Sequence, residues 1–206
     1  MISKDLILQN MRWDRREFLE PRKSNLEKFN GSYFLKKGKM FIMASHKKTI
    51  VKPYVDKPHE GIVQCCVFQN HRRADRLNNL LHKIFLTQKC IDLESLCIKY
   101  NKQVYHNYFE FLVIESDGYP LEGCVELMDY MLRDLEIPTN YSPRCFYFVE
   151  VGGCLIRDPI DTEESEKEGS IVVVLRSLNE VIYFEKYGRS CSENTLVSIL
   201  ESCVIN

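Results

Sequence analysis

The pattern of apolar and polar positions predicts a central strand and helix between Ser95 and Pro138. Apolar and aromatic residues fill positions 104–115, which is typical of a strand buried on much of both faces, and Asp117-Gly118 supplies a tight turn after it. Apolar residues then recur every three or four positions, which predicts a helix that ends before the proline. The apolar positions of this helix are Leu121, Cys124, Val125, Met128, Met131, Leu132 and Leu135; its polar positions, Glu122, Glu126, Asp129 and Arg133, take the other side.

Short strands are predicted on the N-terminal side of this unit, after a short helix at residues 3–10. From Gly31 onward apolar residues alternate with polar ones, which favours strands, and Lys37-Gly38 is a hairpin signal. The predicted strands are 32–36, 40–45, 49–52 and 62–69, arranged as an antiparallel meander. A helix is predicted to follow at 77–85, after a basic segment that contains Arg72, Arg73 and Arg76. The helix macrodipole disfavours cations in a first turn, so these arginines either meet an acidic or phosphate group or form a solvated face.

The C-terminal part predicts two hairpins and a last helix. Strands are expected at 145–151 and 154–157 around Gly152-Gly153, and at 170–176 and 181–187 around Leu178-Asn179. Residues 161–168 form an acidic loop. A capping box at 190–193 begins the final helix. Runs of mixed strands followed by helices predict an α+β domain in which helices pack on a sheet.

Composition restricts the class of protein without selecting a function. A chain of 206 residues with 45% hydrophobic and 28% charged residues fits one globular domain. Its 28 basic and 29 acidic residues give a net charge of -1, so any contact with RNA must be local. No apolar run is long enough to cross a bilayer and no signal peptide is recognisable, so we expect an intracellular protein with no membrane partner.

The residues that could ligate metals do not form a recognisable site. The nine cysteines contain no Cys-x-x-Cys pair and mostly lie in apolar patterns, so we expect reduced thiols rather than a zinc site or disulfides. The five histidines are scattered, and the crowded glutamates of 161–168 are more typical of a solvated loop than of a metal site. We therefore predict neither a metal nor a cofactor.

The segment from Arg12 to Arg22 is dense in charge around the single tryptophan, Trp13. Taken alone it indicates a solvated linker with one aromatic anchor. The alternative is an arm that contacts RNA, because arginines beside an aromatic ring can bind phosphate and stack on a base.

Several motifs in order resemble the RNase PH-like subunits that form the hexameric ring of the RNA exosome. They are Arg12-x-Asp14-x-Arg16-x-x-x-Glu20-x-Arg22, with Arg15 where the family usually has glycine; Pro58-His59-Glu60-Gly61; Ile91-Asp92-Leu93-Glu94-Ser95-Leu96-Cys97-Ile98; Asp117-Gly118 with Ile137-Pro138; and Arg157-Asp158-Pro159 with Glu163 and Glu164. The resemblance runs from about residue 12 to 203. It implies an RNase PH-like fold, also called ribosomal protein S5 domain 2-like, as a single domain over 1–206, with 1–22 packed on a neighbour or on the core.

Within that family the chain resembles the non-catalytic type, the counterpart of the archaeal ring subunit that lacks an active site. Phosphorolytic relatives place a Thr-Arg or Ser-Arg pair just after the Asp-Gly turn to hold phosphate, where this chain has Pro120 and Leu121. They also carry an aspartate as presumed proton donor where this chain has Gly169. Asp158 is shared with inactive relatives and does not discriminate. We therefore predict no catalytic residues and no enzyme activity.

The resemblance implies a structural subunit of the exosome ring that supports 3'-to-5' RNA processing and degradation, including rRNA processing and mRNA decay, and guides RNA through the central pore. The expected partners are other ring subunits, S1/KH cap subunits, a separate catalytic exoribonuclease and RNA, in the cytoplasm and the nucleus with its nucleolus. The candidate RNA contacts are Arg72, Arg73 and Arg76, followed by Lys36, Lys37 and Lys39.

Two alternatives stay open at this point. One is an active phosphorolytic exoribonuclease that uses Asp158 and the glutamates of 161–168. The other is a small-molecule kinase of S5-like fold, whose Gly/Ser-rich ATP loop has no counterpart in this sequence. The chain is also shorter than the family between Gln69 and Arg72.

Overall fold

A computed structural model describes Ile7, Gln9, residues 11–177, residues 180–188, Ser190 and residues 193–205. The larger sheet has seven strands in the order β1-β2-β3-β7-β4-β5, with β6 paired to the start of β7. Its strands are β1 (Ser24–Phe29), β2 (Ser32–Lys37), β3 (Met40–Val51), β4 (Ile62–Gln69), β5 (Arg72–Arg73), β6 (Cys97–Lys99) and β7 (Gln103–Glu115).

The predicted meander is correct for β2 and β3, which pair antiparallel, but wrong for β4. Strand β7 lies between β3 and β4; it runs antiparallel to β3 and parallel to β4. The long apolar run of β7 fits this central place, because a strand with neighbours on both sides buries most of its side chains. The two short strands expected between 40 and 52 form one strand, since β3 pairs with β7 from Phe41 to Val51. Strand β1 was missed, because most of its residues are exposed and show no apolar alternation.

The smaller sheet has four antiparallel strands in the order β11-β10-β8-β9. These are β8 (Arg144–Val151), β9 (Cys154–Arg157), β10 (Gly169–Ser177) and β11 (Glu180–Gly188). All four agree with the predicted strands to within one residue at each end. The turn predicted at residues 178–179 lies outside the described residues.

In the described residues four α-helices accompany the sheets: α1 (Asp75–His82), α2 (Leu121–Asp134), α3 (Asp161–Ser165) and α4 (Glu193–Ile205). A π-helical turn, Lys83–Thr87, continues α1 and extends it over the predicted range. The acidic segment 161–168 was expected to be a loop, and this prediction is wrong for its first part, which forms the short helix α3. Helix 3–10 and the capping box at 190–193 fall largely on residues that are not described. Across the described part of the chain, no helix is both long enough and apolar enough to cross a membrane.

Helix α2 lies between the two sheets and holds the core together. The main apolar core contains Phe109 and Phe111 from the larger sheet, Val149 and Val172 from the smaller one, and Met128 from α2. The polar side of α2 is also covered, because Glu122 and Asp129 are buried. The helix therefore has neighbours on both sides rather than one apolar side and one solvated side. A second, smaller apolar cluster joins the outer side of the smaller sheet to α4.

Candidate functional site

The turn between β7 and α2 is tied to the loop that precedes α3. The backbone N–H of Gly118 donates to Asp161 Oδ1 at 2.7 Å, and the N–H of Asp161 donates to Asp117 Oδ1 at 3.1 Å. Gly118 has φ +86°, and a Cβ placed there would lie 2.0 Å from the carbonyl oxygen of Pro159. Glycine is therefore required twice, for the positive φ and for the close approach of the loop.

Arg22 connects this turn to Asp158. Its guanidinium donates to Asp117 Oδ2 at 2.8 Å and to the two carboxylate oxygens of Asp158 at 3.0 and 2.7 Å. Burial by itself raises the pKa of Asp158, but the hydrogen bond from Arg22 and the charge of Lys37 outweigh it and lower the pKa to about 2. Asp158 is consequently ionised at neutral pH and has no proton to donate to a leaving group.

Lys37 is completely enclosed beneath the same turn. It is 1% exposed, and its Nζ donates to Glu122 at 2.8 Å and to Glu126 at 3.3 Å. Burial by itself lowers the pKa of this ammonium group, but the carboxylates of Glu122 and Asp158 outweigh it and raise the pKa. Lys37 was predicted to contact RNA, and this prediction is wrong because the side chain points into the protein.

The N-terminal segment is anchored by Arg12 and is not a solvated linker. Arg12 is 2% exposed, and its Nε and Nη2 donate to the two carboxylate oxygens of Glu163 at 2.9 and 2.8 Å. Its guanidinium also donates to the backbone carbonyls of Arg157 and Asp158. Part of the segment is solvated as expected, since Asp14, Arg15, Glu17 and Glu20 are exposed. Trp13, which was expected to be the aromatic anchor, is itself 60% exposed.

These residues form one group, which we call the charge cluster: Arg12, Arg16, Arg22, Lys37, Asp117, Glu122, Asp158 and Glu163. Every cation in it has a carboxylate partner within 3.4 Å. The glutamates of α3 are engaged as well, because Glu163 binds Arg12 and Glu164 pairs with Lys167. In the described residues no group of three or more His, Cys, Asp or Glu side chains is arranged to hold a metal ion. The eight cysteines that the structure describes are free thiols.

Pro120, Leu121 and Gly169 are the positions that were predicted to have lost phosphate binding and proton donation. The first two lie at the start of α2, beside the charge cluster, and the third lies in the smaller sheet. Pro120 immediately precedes α2 without a side-chain cap, and Leu121 is 0% exposed in the core. Gly169 opens β10, opposite Glu150 on one side and Gly188 on the other. None of the three side chains can donate a hydrogen bond or carry charge.

Four of the predicted RNA contacts lie at one end of the larger sheet. Strand register places Lys36 opposite Phe41, Phe41 opposite Glu115, and Arg72 opposite Gln69, which itself faces Val113. The ends of β2, β5 and β7 therefore share one edge of the molecule. The four exposed cations there, which we call the cationic rim, are Lys36, Lys39, Arg72 and Arg73.

Arg76 does not belong to the rim. Its guanidinium lies 4.3 Å from the centre of the Tyr187 ring and 5.6 Å from that of Tyr119, and Nη2 is 3.8 Å from Glu185. The expectation that a basic first turn meets an acid is correct for this arginine, but the acid belongs to β11. Arg76 therefore connects α1 to the smaller sheet and is only half exposed.

The residues that sequence reasoning missed are Arg12 and Arg22 as buried anchors, together with Glu163. Their partners lie more than 90 positions away in the chain, so no local pattern marks them. The one available signal was the motif from Arg12 to Arg22 that carries the family resemblance.

No protein-family model matches the sequence. Among curated proteins, the exosome complex component RRP45 of Rattus norvegicus is 23% identical over 195 residues, which cover 77% of this chain and 45% of the relative. The exosome complex component Rrp42 of Methanothermobacter thermautotrophicus is 26% identical over 221 residues, covering 89% and 82% respectively. The homologues of this chain are RNase PH-like ring subunits of the exosome.

Solved exosome subunits have the same fold. Chains of archaeal exosome cores, including an Archaeoglobus fulgidus exosome with RNA bound to the active site, match with a TM-score of 0.83 at 19% identity. The matches cover 99% of this chain and 94% of the archaeal chain. Rrp46 of rice (Oryza sativa) matches with a TM-score of 0.76 at 15% identity over 94% and 93% of the two chains. The predicted RNase PH-like α+β fold is confirmed. The chain spans about half the length of the RRP45 relatives that it matches.

Proposed function

We propose that this chain is a structural subunit of an exosome ring and has no phosphorolytic activity of its own. The observation that supports the lack of phosphorolytic activity is that every cation of the charge cluster is already paired with a carboxylate. Inorganic phosphate needs cationic or N–H donors that are free to receive it. Beside the Asp117-Gly118 turn, the guanidinium of Arg22 and the ammonium of Lys37 are already held by buried carboxylates.

The proton donor required by phosphorolysis is also missing from the candidate positions. Gly169 has no side chain, and the carboxylate of Asp158 is stabilised in its ionised form by Arg22. An active exoribonuclease built on Asp158 and the glutamates of α3 would need these groups free, whereas Glu163 is bound by Arg12 and Glu164 by Lys167. Both observations count against the catalytic alternative.

Our proposal includes the assembly that the homologues imply. The chain, as one domain over residues 1–206, joins other RNase PH-like subunits in a hetero-hexameric ring with S1/KH cap subunits and a separate catalytic exoribonuclease. The ring works on RNA in the nucleus, including the nucleolus, and in the cytoplasm. The support is homology to exosome components together with a fold that matches solved ring subunits over nearly the whole chain.

We further propose that the cationic rim guides RNA. Lys36, Lys39, Arg72 and Arg73 are exposed on one edge, where point charges and guanidinium groups can hold phosphates without reading sequence. Arg76 contributes less in this proposal, because its guanidinium lies against Tyr187 as well as facing Glu185. Arg73 also faces a carboxylate, with its Nε 3.2 Å from Asp75 Oδ1, but both side chains of that pair are exposed to solvent.

Two experiments test these parts separately. Native purification of the tagged chain, with partners identified by mass, should recover five further ring chains; recovery of the chain alone would contradict the structural role. The purified chain, incubated with oligo(A) and inorganic phosphate, should release no nucleoside diphosphate above a blank, while a phosphorolytic exoribonuclease run in parallel does. Phosphate-dependent release that disappears in Asp158→Asn would establish the catalytic alternative instead.

The rim is tested in the assembled complex by charge reversal. Arg72→Glu with Arg73→Glu should lower RNA crosslinking to this subunit about tenfold or more, because each lost phosphate contact weakens binding and its salt dependence. The matched control is Arg176→Glu, an exposed arginine on the other sheet. Equal crosslinking in the rim variant and the control would remove the rim from the RNA path.

A further inference from the structure

Two stretches of the chain contain no acidic residue and are brought together at the end of the larger sheet opposite to the rim. Residues 28–55 and residues 95–109 have no aspartate or glutamate. Strand β3 places Ile50 opposite Tyr105 of β7, and β6 adds Lys99 opposite Gln103. The surface that results, which we call the lysine–tyrosine patch, consists of Lys48, Lys52, Tyr54, Lys99, Tyr100 and Lys102.

The lysines of the patch carry charge that the protein itself does not neutralise. All four are exposed. None of them makes an ion pair with a residue that the structure describes. Lys48 lies over the Tyr105 ring, with its Nζ 3.8 Å from the ring centre. This contrasts with the charge cluster, where each cation is paired, and it leaves a local excess of positive charge on a chain whose net charge is -1.

Two tyrosines of the patch present their rings to solvent from adjacent turns. Tyr54 is 60% exposed and Tyr100 is 68% exposed. The turns that carry them are joined, because the N–H of Asn101 donates to the carbonyl oxygen of Pro58 at 2.9 Å. Exposed aromatic rings between lysines are the combination with which proteins bind single strands, since the rings stack on bases and the cations hold the backbone.

The patch is remote from the cationic rim. Strand β3 runs for 12 residues between the two ends of the sheet, which corresponds to roughly 35 Å at about 3.3 Å per residue. One bound phosphate cannot touch both surfaces. The patch is therefore a second, independent place for a ligand.

We propose that the lysine–tyrosine patch binds single-stranded RNA without sequence preference. Lysine is depleted at protein–protein interfaces, where arginine is the favoured cation, so a surface with four lysines and no arginine fits a polyphosphate better than a protein partner. Lysine ammonium groups act as point charges toward phosphate, and the two tyrosines supply stacking surfaces. The proposal concerns the isolated chain and does not depend on whether the chain belongs to an exosome.

The test measures binding of a fluorescent 12-nucleotide oligo(U) to the full chain by anisotropy over a series of salt concentrations. Lys52→Gln, Lys99→Gln and Lys102→Gln together should weaken binding at least tenfold at low salt and reduce the slope of log affinity against log salt by about two, the value for three lost single-strand phosphate contacts. The matched control, Lys23→Gln with Lys83→Gln and Lys89→Gln, removes three exposed charges that belong to neither the patch nor the rim. If the control weakens binding and the patch variant does not, the patch is excluded.

A substitution at Tyr100 distinguishes RNA from an acidic protein as the ligand of the patch. Tyr100→Ala should weaken oligo(U) binding about fivefold or more, and Tyr100→Trp should retain it, because stacking needs an aromatic ring. Neither change should affect binding of a polyglutamate peptide. If the lysine variant weakens polyglutamate binding as much as oligo(U) binding, and Tyr100→Ala changes neither, the patch binds acidic protein and the RNA proposal is wrong.

Discussion

The guanidinium of Arg12 makes two parallel hydrogen bonds with the carboxylate of Glu163, 151 positions further along the chain, and neither side chain is accessible to solvent. A planar pair of this kind fixes both distance and orientation. It fastens the N-terminal segment to the loop and helix beside the Asp117-Gly118 turn. The charge cluster therefore occupies the space beside this turn, which is where our proposal places the lost phosphate site.

Removing one partner of this pair should destabilise the fold strongly. Arg12→Ala leaves Glu163 buried without its cation, so we expect a loss of about 3–5 kcal/mol in the free energy of unfolding measured with urea. Arg176→Ala is the matched control, since Arg176 faces Glu180 on the surface, and it should change stability by less than about 1 kcal/mol. Equal losses of stability in the two variants would mean that burial of the Arg12–Glu163 pair does not contribute to the free energy of unfolding.

Two glycines with similar positive φ angles should differ sharply in their tolerance of alanine. Gly118 has φ +86° and no room for a Cβ, whereas Gly153 has φ +81° and no atom within 4 Å of the Cβ position. Gly153→Ala should lower the free energy of unfolding by about 1 kcal/mol, the cost of a left-handed conformation alone. Gly118→Ala should lower the free energy of unfolding by several kcal/mol more, because Pro159 must also move.

Thermal unfolding of the two variants in one buffer measures this difference. Similar melting temperatures would contradict the close approach of the loop to the turn.

Neighbouring lysines on β2 should behave in opposite ways. Lys37→Gln leaves Glu122 and Asp158 without their buried cation and should destabilise the protein by about 3–5 kcal/mol. Lys36→Gln removes an exposed charge and should change stability by no more than about 0.5 kcal/mol, while weakening RNA binding at the rim. A stable Lys37→Gln variant with reduced RNA binding would show that Lys37 reaches solvent after all.

Stability should fall in acid through Asp158. Folding lowers its pKa from 3.8 to about 2, so the ionised carboxylate contributes stability above the unfolded pKa and loses it as pH falls through the folded one. This shift corresponds to about 2 kcal/mol. Asp158→Asn should be less stable than the natural chain at pH 7, and the gap should narrow by about that amount between roughly pH 5 and pH 2.

Urea unfolding at several pH values checks this expectation, with Asp56→Asn as the control at an exposed carboxylate. A gap between Asp158→Asn and the natural chain that stays constant with pH would place the pKa of Asp158 near its ordinary value.

The sequence by itself determined the local structure and the kind of fold. Alternation of apolar residues located the strands of the second sheet, a period of three to four located α2, and the ordered motifs from Arg12 to Glu164 indicated the RNase PH-like fold that the solved exosome subunits confirm. These features depend on near neighbours in the chain, so a window of a few residues contains them.

Only the tertiary structure decided which groups meet. Strand β7 entered between β3 and β4, which no turn signal indicates, and this placed Lys48 of β3 over the Tyr105 ring of β7. Two adjacent lysines of β2 went to opposite faces, so Lys36 stayed in solvent while Lys37 was buried. The reason is physical: a buried charge is tolerated only where distant residues supply its partner, and that partner is chosen by packing rather than by position in the chain.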